Sequence, residues 1–115
     1  MTAAAALATA QTAAQDAADR AREALEAAAQ DRTVDPFDLL EHTHAVIAAE
    51  TRVAVLSTAL RYVDADEPDR ARAVLIEFAL SGPDDAWSGR GNDGKRVAAD
   101  ARRDAVRDAL SALRY

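Results

Sequence analysis

Residues 35–63 read DPFDLLEHTHAVIAAETRVAVLSTALRYV, and their spacing decides the fold. Asp35 followed by Pro36 marks a helix start. An aspartate caps free backbone N–H groups there, and proline suits the first helical position, where no N–H is needed. Leu39, Val46, Val53 and Leu60 then recur every seven residues, with His42, Ala49, Leu56 and Val63 between them. Such a repeat runs one apolar seam along a helix, as in coiled coils. Leu39, His42, Val46, Val53, Leu56 and Leu60 are its expected packing residues. Phe37, Leu40 and Ile47 widen the apolar face at the start of the helix, so a second contact surface is needed at that end.

Toward the N-terminus, residues 2–30 predict another long helix. Leu7, Ala14, Ala21 and Ala28 lie seven apart, and Ala10, Ala17 and Ala24 supply a second row. Alanine is the best helix former, and an alanine seam lets two backbones approach closely. The pairs Asp16–Arg20 and Arg22–Glu26, four residues apart, predict ion pairs on the outer face. The connector at residues 30–34 is short, which makes these two helices antiparallel neighbours.

Toward the C-terminus, residues 64–67 form a polar break and Pro68 restarts a helix. The run Val74-Leu75-Ile76-Glu77-Phe78-Ala79-Leu80 is apolar enough for a strand, but nothing else in the chain offers it a strand partner. It predicts a short helix, apolar almost all round and therefore the most buried element. All four glycines then fall between Gly82 and Gly94, with Trp87 among them. A last helix, capped by Asn92 or Asp93, follows to about Arg114, with Val106, Leu110, Leu113 and Ala99 as its apolar stripe. The fold expected is all-α, one domain over residues 1–115. It comprises a helical hairpin (1–64), a short buried helix (65–81), a glycine-rich loop (82–94) and a C-terminal helix (95–115).

The composition sets the energetic problem. Alanine supplies 31 of the 115 residues, whereas Leu, Ile, Val and Phe together supply only 22. So few large side chains bury little apolar surface, and small domains are marginal even with average cores. Close helix packing, self-association or another subunit is the expected remedy. There is no cysteine, which removes disulfides, thiol chemistry and cysteine-based metal sites. The first residues lack the charged and strongly apolar regions of a secretory signal, and no apolar run reaches the length of a membrane span. A cytoplasmic protein with no membrane partner is expected.

Gly89-Arg90-Gly91-Asn92-Asp93-Gly94 matches the glycine pattern of dinucleotide-binding loops. That function needs a preceding strand and a βαβ unit, which an all-helical chain lacks. The expectation that survives is a connector or docking loop at a helix N-terminus, with Trp87, Arg90, Lys95 and Arg96 as docking or anion-binding residues. Residues 1–89 carry a net charge of −9 and residues 90–115 a net of +3, giving −6 in total. Arg96, Arg103, Arg107 and Arg114 fall in one helical stripe that could meet nucleic-acid phosphates. Asp100 and Asp104 stand close enough in sequence to neutralise part of it. Glu41-His42-Thr43-His44 has the E-x-x-H spacing of di-iron bundles, but the chain has no other histidine for a second half-site. No metal, cofactor or catalytic residue is expected, nor a cavity for chemistry.

The Ala/Glu-rich first helix, the Asp35-Pro36 break and the heptad through Leu39, Val46, Val53 and Leu60 resemble small helical proteins from tailed phages of high-GC actinobacteria. An Arg to Lys ratio of 13 to 1 fits a GC-rich source. The resemblance covers about the first half of the chain and transfers no functional residue. It implies a structural or assembly role, as a connector or scaffold component of a virion. The function expected is a non-enzymatic oligomeric interaction or assembly protein whose partners are copies of itself or other protein subunits. The alternative is a small nucleic-acid-binding or regulatory protein that uses the basic C-terminal helix.

Overall fold

The computed structural model describes residues 2–80 and 93–114, and among them every regular element is a helix. The order is α1 (Ala3–Gln30), α2 (Pro36–Asp64), α3 (Pro68–Leu80) and α4 (Asp93–Ala112). The molecule measures about 50 × 34 × 17 Å.

Local chemistry sets the helix ends. The Thr2 hydroxyl accepts the Ala5 N–H at 3.1 Å and starts α1. The Asp35 carboxylate accepts the Phe37 N–H at 2.8 Å and, with Pro36, starts α2. At the far end of α2 the chain turns without glycine. Asp66 adopts a left-handed φ of 60°. The Asp66 N–H donates to the Val63 carbonyl at 3.0 Å and the Glu67 N–H to the Tyr62 carbonyl at 2.9 Å. This paired arrangement is the Schellman motif, which satisfies carbonyls that a helix end leaves free. Pro68 follows at once and opens α3.

Contacts between helices give their directions. Gln11 donates to the Ser57 hydroxyl at 3.4 Å, and further along Arg22 donates to Glu50 at 2.7 Å. Numbers rise on α1 as they fall on α2, so the pair is antiparallel. Ile47 meets the first turn of α4 at Gly94, and Arg52 pairs with Asp108 at 2.7 Å, so α2 and α4 run in the same sense. The Arg72 guanidinium of α3 donates to the Leu113 carbonyl at 3.1 Å, supplying a partner to an orphan group at the end of α4.

The core gathers where α2, α3 and α4 meet the start of α1. Leu7, Val55, Leu56, Ala59, Leu75, Val106 and Leu113 are among its buried members. Of the described large side chains, Leu7, Leu56 and Leu75 are the ones fully enclosed.

Three expectations need correction. On α1 the second packing row is one residue on from Ala10, Ala17 and Ala24. Ala17 and Ala24 are exposed and Ala10 is half-buried, while Ala18 is fully buried and Leu25 half-buried. Adjacent alanine rows are indistinguishable by pattern; Leu25 and the Gln11–Ser57 bond mark the side that meets α2. The predicted Arg22–Glu26 pair gives way to Arg22 bridging Glu50 across the helices and Asp19 on its own helix, while Arg20 donates to the Asp16 backbone carbonyl. Helix α3 is not the most buried element. Ala71 and Leu75 are buried, but Ile76 is 51% and Leu80 81% exposed. The helix packs mainly on α2 and α4, and its other side stays open.

Candidate interaction surface

The two halves of α2 differ. Val55, Leu56 and Ala59 are buried, whereas no residue at positions 36–54 is. The reason is the placement of α4, whose first described turn lies level with Ile47. Residues 36–46 of α2 project beyond that point by about 16 Å, at 1.5 Å per helical residue. They pair there with the end of α1, whose sole buried residue past Arg22 is Ala28. The result is a two-helix arm standing on a denser three- and four-helix body.

Phe37, Leu40, His44 and Ile47 follow one another at spacings of three and four, so they share a side of α2. Ile47 and His44 are half-buried, Leu40 is 45% exposed and Phe37 77% exposed. Exposure increases toward the tip because α4 stops short. Of the predicted seam, Leu56 is fully buried and Leu39, His42, Val46, Val53 and Leu60 are half-buried. Among the described residues, α1 alone packs beside the outer half of this row.

The arm is one of two acidic stretches; residues 64–85 carry the same net charge of −5. Beyond the Arg22–Glu50 pair, residues 23–49 carry Glu23, Glu26, Asp31, Asp35, Asp38 and Glu41 against Arg32, a net of −5 in a chain of net −6. At the tip the Thr33 hydroxyl and N–H both donate to Asp31, at 2.7 and 2.9 Å. These bonds, the hydroxyl's first, favour the charged form and hold the Asp31 carboxyl below the ordinary carboxylate range, against a smaller opposing effect of burial.

An open groove runs beside the arm between α1, α2 and α4, with a volume of about 570 Å³. Its walls include Ala17 and Ala21, Ala45 and Ala49, and Val97 and Ala101; Arg52, Asp100 and Asp104 supply polar edges. Alanine side chains are too short to fill the space where three helices diverge. Among the described residues the groove holds no cluster of nucleophile and base, and no three His, Asp or Glu side chains stand close enough to share a metal ion.

The other predicted residues are placed as follows. Lys95 and Arg96 are exposed on the first turns of α4. Trp87, Arg90 and the other residues at 81–92 lie outside the described residues. Arg103 and Arg114 are exposed, as is Arg107. Arg103 pairs with Asp100 at 3.7 Å and Arg107 with Asp104 at 3.4 Å, so half of the stripe is matched within its own helix. His42 and His44 are half-buried members of the α2 faces. Sequence reasoning missed Arg72 and the Arg52–Asp108 pair; both join distant segments, and no local spacing announces them.

Among the described residues no helix is long and apolar enough to cross a membrane. No protein family, no curated protein and no solved structure matches this chain.

Proposed function

We propose that this chain is a non-enzymatic interaction or assembly protein that works as an oligomer. One observation carries the reading: among the described residues three large apolar side chains are fully enclosed, while Phe37, Leu40, Ile76 and Leu80 are 45–81% exposed. A small protein that leaves its large apolar groups outside gains stability when a partner covers them. Ile76 and Leu80, near the end of α3, are the self-association surface in this reading. The resemblance to phage proteins extends it to a connector or scaffold component, working in the cytoplasm or in a virion.

Sedimentation at several protein concentrations tests the reading. A mass above that of the monomer, lowered by Ile76→Ser with Leu80→Ser, is expected; a stable monomer at all concentrations overturns the oligomer. The exposure of Arg96, Arg103, Arg107 and Arg114 carries the alternative, nucleic-acid binding. Salt-sensitive binding to generic DNA, lost when Arg96, Arg103 and Arg107 become Glu, would establish that alternative instead.

A further inference from the structure

We propose that the acidic arm built from residues 23–30 and 36–49 is a docking surface for a basic amphipathic helix of a different protein. The inference rests on reading the chain as an interaction protein and names the partner that one surface takes. Phe37, Leu40, His44 and Ile47 form an apolar stripe whose outer members are uncovered. An amphipathic helix recognises such a stripe through anchors at matching three- and four-residue spacing.

Charge decides the occupant. Glu23, Glu26, Asp38 and Glu41 surround the arm without an ion pair among the described residues. A second arm brings the same excess of negative charge and is repelled. Among the described residues another copy of the chain has no free basic amphipathic helix to offer. The apolar side of its α4 is already buried through Ala99, Val106, Ala109 and Leu113. Nucleic acid and anionic lipid are both repelled by the arm. A basic helix with an apolar side satisfies the stripe and the carboxylates together.

The probe is a synthetic leucine–lysine peptide of about five helical turns, with leucines at three- and four-residue spacing, compared with a shuffled peptide of the same composition. Calorimetry with the full chain at low salt is expected to show the patterned peptide binding about tenfold tighter, or more, than the shuffled one. Phe37→Ser with Leu40→Ser weakens the patterned peptide by a similar factor, as does Asp38→Lys with Glu41→Lys, which decides the matter if the serine variant loses its helical circular dichroism. Ile76→Ser with Leu80→Ser leaves peptide affinity unchanged, so failure of self-association and failure of arm docking are read separately. Equal affinity for both peptides, or no effect of either arm variant, overturns the proposal. So does a fall in the mass of the chain alone on Phe37→Ser with Leu40→Ser, which would make a second copy the occupant.

Discussion

At Asp66 the backbone takes the left-handed conformation that follows many helix ends, where glycine is the usual occupant because it has no β-carbon to clash. Both hydrogen bonds of the motif are present, so the turn is built and the aspartate bears the strain. Asp66→Gly is expected to stabilise the chain by about 1 kcal/mol, read from urea unfolding midpoints with an unchanged slope. A second residue-scale prediction concerns Asp31, whose carboxyl is held low chiefly by the Thr33 hydroxyl. Its contribution is fully present above the ordinary aspartate range and fades as pH falls through the lowered folded-state value. Thr33→Ala should return the Asp31 titration toward the ordinary range, as followed by carbon NMR of the carboxyl; an unmoved titration would show that the hydroxyl is not the cause.

Among the elements, α1 shows how sequence can settle a helix and leave its facing undecided. Asp35 and Pro36 made the start of α2 legible, and Pro68 did the same for α3, whereas the Thr2 cap of α1 was not read. The side of α1 that meets α2 was not legible, because alanines at 17 and 18 present the same methyl group on faces about 100° apart. Ala18→Leu is expected to cost about 1–3 kcal/mol by overpacking, while Ala17→Leu should stay within about 0.5 kcal/mol of the parent. Chemical denaturation of the pair checks the register directly; equal effects would mean the row is misplaced. The exposure of Ile76 and Leu80 was hidden for another reason. An apolar helix says that it wants neighbours, and only the tertiary arrangement says how many it has. Phe37 and Leu40 were legible as needing a cover, whereas the alanine-walled groove is a product of three diverging helices and has no local pattern.

For the whole molecule, the small number of enclosed large side chains concentrates stability in few places. Leu56 is fully buried within the shared core of α2, α3 and α4. Leu56→Ala should cost about 2–5 kcal/mol through lost burial and the cavity left behind. Against a typical total of about 5–15 kcal/mol this is a large fraction, visible as a fall in the thermal midpoint. A truncation at Leu40 should cost far less, because its side chain is already nearly half in water. The comparison separates residues that hold the fold from residues the fold holds out.

One helix, α2, passes through both environments without a break. Along it the protection of backbone amides should therefore fall in steps. The amides around Val55, Leu56 and Ala59 exchange with deuterium only when the whole chain opens, since freeing them exposes the core. Those near Leu39 and Leu40 exchange through a cheaper opening in which the tips of α1 and α2 unwind together. The expected result is two cooperative units within a single unbroken helix, with the boundary near Glu50, where Arg22 ties the two helices together.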